Sequence, residues 1–288
     1  MATTQGIDLS YCQTKLDYKK LKANGVTFAI IQAGYGRTSS QKDKMFETHY
    51  KGCKDAGIKV GAYWFSYAES AEDAKLEAKA CMEVIKGKQF EFPVYFDLEG
   101  APLNNSKEIC SAMVDNFCTL LKNNGWYPGL YISRSPLQTK ITDTVAKKYS
   151  LWIAEYNSKC NYSGTYGMWQ NTSKWSVGGA PGLVDHDYCY VDYPTIIKNG
   201  GYNGYKKPTE KVLDKDGYVK GQSTIGVLAL KQMIIAAKKK GIIKQGVNND
   251  NVFGDGTEKA VNELLKKWGY KQNGVAGNNF IRKIGELM

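Results

Sequence analysis

The sequence predicts an α/β protein: an irregular, TIM-like β/α barrel of about eight strands, then a small three-helix domain. Three observations point there. Short apolar runs rich in β-branched and aromatic residues alternate with longer amphipathic runs over residues 1–193. The last of these runs succeed one another across short loops, so the final strands are expected to be joined without helices. Acidic residues stand at the ends of several runs, where a barrel of parallel strands gathers its chemistry.

In chain order, strands are expected over residues 6–9, 26–33, 60–67, 92–98, 129–133, 151–156, 167–170 and 183–187. Between them, helices are expected over 18–23, 44–56, 71–85, 106–123 and 142–148. In the longest, Ile109, Met113, Phe117, Leu120 and Leu121 fall on one face at helical spacing. Residues 194–208, with Asn199-Gly200-Gly201 and Asn203-Gly204, read as a linker. Three apolar stripes lie within 209–288: Val227, Leu230, Ile234 and Ala237; Ala260, Val261, Leu264, Leu265 and Trp268; Phe280, Ile281, Ile284 and Leu287. Asn278 is the expected N-cap of the third helix.

A chain of 288 residues with 42% hydrophobic and 23% charged residues folds rather than staying disordered. No run of about 18 apolar residues is present, so no membrane-spanning helix is expected. The seven cysteines include no C-x-x-C pair, which reads as reduced core thiols rather than a disulfide framework. Charge is divided unevenly. From Lys206 onward 16 basic residues face 8 acidic ones, whereas residues 1–205 carry 23 against 20. A basic tail of that kind suits a polyanionic partner. Lys238-Lys239-Lys240 is the only hint of nucleic acid, and no aromatic-basic recognition motif accompanies it, so neither a nucleic-acid nor a stable membrane partner is expected.

The run Phe92 to Phe96 closes on Asp97-Leu98-Glu99, and Gly100 then breaks the pattern. Alternate residues of a strand share a face at a spacing of roughly 6.6 Å, so the triplet aims two carboxylates the same way. Two like charges at the end of an apolar element raise a pKa, which suits a proton donor. Asp8 ends the first expected strand and Asp185 the last. Tyr63 and Phe65 share one face of the third, while Tyr131, Tyr156 and Trp169 stand at or near later strand ends. Acids and aromatics on one rim make a cleft suited to a sugar polymer, whose rings stack on aromatic faces.

Through these residues the chain resembles glycoside hydrolase family 25, the muramidases of bacteriophage endolysins and some bacterial autolysins. The resemblance runs in order through Gly6-Ile7-Asp8-Leu9-Ser10, Phe28 to Ala33, Val60 to Tyr63, Val94 to Glu99, Leu130 to Ser133, Leu151 to Ala154, Met168-Trp169-Gln170 and Val184-Asp185. It implies cleavage of the β-1,4 bond between N-acetylmuramic acid and N-acetylglucosamine in bacterial peptidoglycan, without a cofactor. It also implies that Glu99 is the proton donor and that Asp97, Asp8 and Asp185 are its supporting acids. The segment Val252 to Val261, with Asn273-Gly274-Val275-Ala276-Gly277 after it, looks like the helical peptidoglycan-binding domain, with Asp250-Asn251 where that family usually has Asp-Gly. The implied partners are peptidoglycan and, through the basic tail, anionic wall polymers.

Other wall-lytic or binding classes find less support. A zinc amidase needs histidine-rich ligation, and His49 and His186 are the only histidines, far apart and without ligand spacing. No local signature pairs a cysteine with either as a nucleophile and base. A non-catalytic wall lectin would not need Asp97 and Glu99 together. Met1 to Asp8 has neither a basic n-region nor an apolar h-region, so the chain is expected in the host cytoplasm until released to the wall.

Overall fold

The structure, a computed structural model, describes residues 3–207 and 211–288. The chain divides into two compact units, residues 1–208 and 209–288, and the junction between them lies outside the described residues. The first unit runs β1 (Thr4–Leu9), α1 (Tyr18–Ala23), β2 (Phe28–Tyr35), α2 (Phe46–Asp55), β3 (Lys59–Phe65), α3 (Ala71–Val84), β4 (Val94–Asp97) and α4 (Lys107–Asn123). It continues through β5 (Pro128–Ser133), α5 (Arg134–Lys140), α6 (Asp143–Ala146), β6 (Ser150–Ala154), β7 (Met168–Trp175), β8 (Val184–Cys189) and α7 (Tyr193–Gly200). The eight strands close into a barrel in sequence order.

Strand parity separates two apolar layers. Outward residues such as Ile31, Val60, Trp64, Phe96, Leu130 and Ile153 pack under the helices. Inward residues Phe28, Ile30, Tyr95, Tyr131, Trp152 and Met168 fill the barrel itself. The inward set is largely aromatic, and glycines make room for it. A Cβ at Gly6 would lie 2.4 Å from the Phe28 carbonyl oxygen, and one at Gly129 would lie 2.4 Å from the Tyr95 ring. The helices are set by side-chain caps: Ser70 accepts from the Asp73 amide at the start of α3, and Ser106 accepts from Ile109 at the start of α4.

Four expectations about the first unit are corrected. Strand β8 runs antiparallel to both β7 and β1, because the short β7–β8 loop has no room for a crossover helix. Its N-terminal end therefore reaches the rim. On α4 the buried stripe is Cys110, Met113, Val114, Phe117, Cys118 and Leu121, while Ile109 is 40% exposed. The stripe is rotated by about one position from the face read in the sequence. In the stretch between β5 and β6, α5 is a helix that the hydrophobic pattern does not announce, and α6 is shorter than expected.

The fourth correction concerns residues 194–208. Helix α7 places Tyr193 against Phe92, with ring centroids 5.7 Å apart, and buries Ile197. Asn203, fully buried at φ 53°, accepts from the Tyr127 amide at 2.7 Å and donates to the Phe92 carbonyl at 2.8 Å. A stretch whose composition reads as linker is therefore mostly packed onto the barrel. Asn tolerates the left-handed conformation there and uses both ends of its amide.

The second unit holds α8 (Ile225–Lys239), α9 (Asp255–Lys267) and α10 (Asn278–Gly285). Its core joins Val227, Leu230, Ile234, Ala260, Leu264 and Phe280, all fully buried. The N-cap of α10 is Gly277 rather than Asn278. The missing side-chain cap comes from Asp214, which accepts from the Asn279 amide at 3.2 Å and the Phe280 amide at 2.8 Å. Replacing Asn203 by Ala removes its buried bonds to the Tyr127 amide and the Phe92 carbonyl and leaves a β-carbon residue in the left-handed conformation. Asn203→Ala is expected to destabilise the barrel by about 2–4 kcal/mol in urea unfolding. A change below about 0.5 kcal/mol, typical of a surface site, would return the segment to the status of a linker.

Candidate active site

At the rim where β1 to β7 end, the chain forms an open cleft of about 710 Å³. Asp8, Asp97, Glu99 and Asp185 line it, with Tyr63, Phe65, Tyr131 and Tyr156 among its walls. Each acid arrives by a different route. Asp97 is the last residue of β4, in register with Phe65 on β3 and Tyr131 on β5. The Ser66 amide donates to its carbonyl at 3.0 Å, and the Leu98 amide donates to the Tyr131 carbonyl at 3.1 Å. These bonds hold the backbone from which Glu99 emerges, half-buried, two residues on. Asp8 points inward from β1, and Asp185 is the second residue of the reversed strand β8.

Gln170 on β7 ties this group together. Its Nε2 donates to Asp8 Oδ2 at 2.7 Å. Its Oε1 accepts from the Tyr131 hydroxyl at 2.9 Å and the Tyr156 hydroxyl at 3.1 Å. Below it, Trp152 Nε1 donates to Oδ1 of the fully buried Asp187 at 2.7 Å. Two carboxylate oxygens, Asp97 Oδ1 and Asp187 Oδ2, are buried without a hydrogen-bond partner among the described residues.

Burial pushes all of these acids toward their protonated forms, and repulsion from a neighbouring acid adds to it for all but Asp185. Asp97 is raised well above the usual carboxylate range by burial, then by the charges of Glu99 and Asp8. Glu99 is raised by burial and then by Asp185. Asp8 is raised well above its ordinary value by burial and by Asp185, while the bond from Gln170 pulls it back down. Asp187 is raised well above its own by burial and then by Asp8.

Trp169 is the one expected site residue that the structure places elsewhere. It has the opposite strand parity to Gln170, donates from Nε1 to the Glu155 carbonyl at 2.8 Å, and stacks on Tyr188. Gln170, Trp152, Tyr11, Tyr35 and Tyr67 also line the cleft; the first two lie within the motifs read from the sequence, which assign none of the five a role. The alternation that links Asp97 to Glu99 would have found Asp187 from Asp185. Both histidines are structural. His49 Nε2 donates to the Ser10 carbonyl and its Nδ1 accepts from the Tyr18 hydroxyl, each at 2.9 Å, while burial lowers its pKa. His186 pairs with Asn171 at 2.7 Å and packs on Trp175.

A cleft that sets carboxylates of raised pKa between aromatic walls holds the groups that glycoside hydrolysis uses. The family model for Glycosyl hydrolases family 25 matches residues 7–180, and the chain belongs to that family. It is 27% identical over 293 residues to an autolytic lysozyme of Clostridium acetobutylicum, an alignment covering 97% of this chain and 81% of that one. Among solved structures it is similar to the CTP1L endolysin, with a TM-score of 0.60 and 27% identity over 68% of this chain and 70% of that one. It is also similar to the modular autolysin LytC of Streptococcus pneumoniae, solved with a synthetic peptidoglycan ligand. There the TM-score is 0.59 at 26% identity, over 65% of this chain and 47% of LytC, so the match spans about half of LytC.

The raised carboxylates have a sign that stability measurements can read. A group whose folded pKa lies above its unfolded one stabilises fully below the unfolded value and loses that contribution as pH rises through the folded one. Asp97→Asn is therefore expected to be more stable than the parent near pH 7, by about 1–3 kcal/mol. The gain should shrink toward about pH 3, where both side chains are neutral. Urea unfolding at the two pH values measures this. Asp185→Asn removes the charge that raises Glu99 and should move the Glu99 titration to lower pH by carboxyl NMR. An unmoved titration would mean that Asp185 does not act on it.

Proposed function

We propose that this chain hydrolyses the β-1,4 bond between N-acetylmuramic acid and N-acetylglucosamine in bacterial peptidoglycan, with Glu99 as the acid and Asp97 assisting. The observation that carries this reading is the buried oxygen of Asp97, without a partner among the described residues, in the cleft that Glu99 also lines. A glycosidic oxygen leaves poorly unless it is protonated as the bond breaks. Glu99, held toward its protonated form, supplies that proton. Asp97 Oδ1 accepts the N–H of the sugar's 2-acetamido group and turns its carbonyl oxygen toward the anomeric carbon. That oxygen forms the new C–O bond as the old one breaks, giving a cyclic oxazolinium. Water then opens the ring, and its proton passes to the Glu99 carboxylate. This substrate-assisted route departs from the two-carboxylate scheme and retains the anomeric configuration. Asp185 keeps the local charge that raises Glu99, Asp8 does the same for Asp97, and Tyr63, Phe65, Tyr131 and Tyr156 offer faces to the sugar rings.

The second unit is proposed to hold the enzyme on the wall. The excess of 16 basic over 8 acidic residues from Lys206 onward supports contact with anionic wall polymers as well as with the glycan. We read the whole as a phage endolysin, held in the host cytoplasm until it is released to the wall, a role supported by the likeness to the CTP1L endolysin. An autolysin of the same chemistry is the second reading, favoured by similarity to the clostridial autolytic lysozyme across 97% of this chain.

Glu99→Gln is expected to keep its fold and lose about 10²–10⁴-fold in kcat, the usual worth of a general acid. Mass analysis of digested walls should show new muramic acid reducing ends with the parent and almost none with the variant. Fragments carrying only freshly cut amides would overturn the assignment. Proton NMR of the first product should show the β-anomer; an initial α-anomer would replace the acetamido route with an inverting water. Retention of the full chain on purified walls should fall as salt rises. Salt-independent retention would remove the role given to charge.

A further inference from the structure

The cleft also has a cationic flank that the proposed chemistry does not use. Lys42 and Lys44, on the loop between β2 and α2, line the same cavity as Asp8, Asp97 and Glu99. Lys42 is committed to Glu47 at 2.6 Å. Lys44 forms no ion pair among the described residues, and its ammonium sits over the Tyr11 ring, 5.1 Å from the centroid. One buried carboxylate fixes that arrangement. Asp43, 4% exposed, accepts from the Tyr11 amide through Oδ2 at 2.9 Å and from the Met45 amide through Oδ1 at 2.7 Å. The Asp43 amide donates to the Ala33 carbonyl at 3.0 Å, anchoring the loop to β2. Two loops from different parts of the chain thus present Tyr11 and Lys44 together. Tyr11 and Tyr67 stay about half exposed beside them, each at 51%.

Neutral sugar rings need aromatic faces and hydrogen bonds, which the rest of the cleft supplies. An ammonium without an ion-pair partner among the described residues, held in place within an acidic cleft, fits a ligand that carries negative charge of its own. Resting on the wall-glycan reading above, the substrate has such groups: the peptide attached to the lactyl arm of the muramic residue bears free carboxylates. We propose that Lys44 and Tyr11 form a subsite for a carboxylate of that peptide branch, so that the cleft selects peptide-bearing glycan over bare glycan. Asp43 is a positioning residue for this subsite. The carboxylate accepts from the ammonium, the tyrosine face covers the peptide stem, and the contact offsets repulsion from the acids deeper in the cleft. Because the contact is made to the peptide branch and not to the sugars joined by the bond that breaks, it acts equally on bound substrate and transition state, and its loss should raise KM while kcat is kept.

The test measures binding in the Glu99→Gln background, so that fragments are not consumed. The probes are soluble disaccharide-peptide fragments of peptidoglycan and the same fragments stripped of their peptide. The peptide-bearing form should bind about fivefold tighter, the worth of one exposed charge pair, and less so as sodium chloride is raised. Lys44→Ala should abolish that preference and Lys44→Arg should keep it, with unchanged near-ultraviolet spectra confirming the fold. An equal affinity for both probes in the Lys44-intact protein, or a preference that survives Lys44→Ala, would overturn the proposal. Competition by inorganic phosphate without any peptide preference would also overturn it, in favour of a polymer phosphate. If the unsubstituted enzyme released no muramic acid reducing ends while the Lys44-dependent preference held, the bond assignment would fail and the subsite would stand.

Discussion

The structure depends on carboxylates that are buried where their charge is not compensated. Asp97 ends a strand inside an aromatic-filled barrel, with one oxygen that no described group satisfies. An ionised carboxylate in such a place is expensive, and the least costly response is to keep a proton on the cluster. That response is what acid catalysis requires. The interior aromatics serve both ends at once: they exclude the water that would stabilise the charge, and they leave flat faces where the barrel opens to the cleft.

The cost is met elsewhere in the fold. Two fully packed layers, one inside the barrel and one under the helices, come from the same strands by simple alternation. Gly6 and Gly129 let Phe28 and Tyr95 approach the backbone, so the interior is filled by rings rather than by aliphatic side chains. Helix α7 then seats Tyr193 and Ile197 among the interior residues, and Asn203 fastens the chain beyond that helix to the Phe92 and Tyr127 backbone. The barrel can hold strained electrostatics at one rim because the rest of its interior is densely packed.

Much of this was legible in the sequence, and the parts that were not share a cause. Alternating runs gave the strands, and acids at their ends gave the positions of Asp8, Asp97 and Glu99. Direction and parity were harder. Nothing in Val184 to Cys189 says which way the strand runs; only the short preceding loop does, and it puts Asp185 at a strand's beginning rather than its end. Trp169 drew attention as an aromatic near a strand end, yet its neighbour Gln170 has the inward parity and makes the three contacts that matter. An amide carries no charge and no periodic signature, so its role appears only once Asp8, Tyr131 and Tyr156 converge on it. The stretch from 194 to 208 misled through composition, since Gly and Asn mark left-handed turns inside packed structure as readily as they mark linkers.

The tendency to hold a proton at this rim belongs to the group of acids and not to one residue. Burial raises every one of these acids, and charge links them in a chain: Asp185 raises Asp8 and Glu99, Glu99 and Asp8 raise Asp97, and Asp8 raises Asp187. Hydrogen bonding and exposure break the symmetry. Gln170 donates to Asp8 and favours its charged form; Trp152 does the same for one oxygen of Asp187. Asp97 has no such donor among the described residues, and Glu99 combines a raised pKa with partial exposure to the cleft. Substrate changes this balance. On the route proposed above, an N–H delivered to Asp97 would stabilise its anion, and a new charge there would favour the proton on neighbouring Glu99 until the leaving oxygen took it. Binding of the right sugar would thus set the protonation state needed to cut it, while a sugar without a 2-acetamido group would leave Asp97 unsatisfied and the cluster unpolarised.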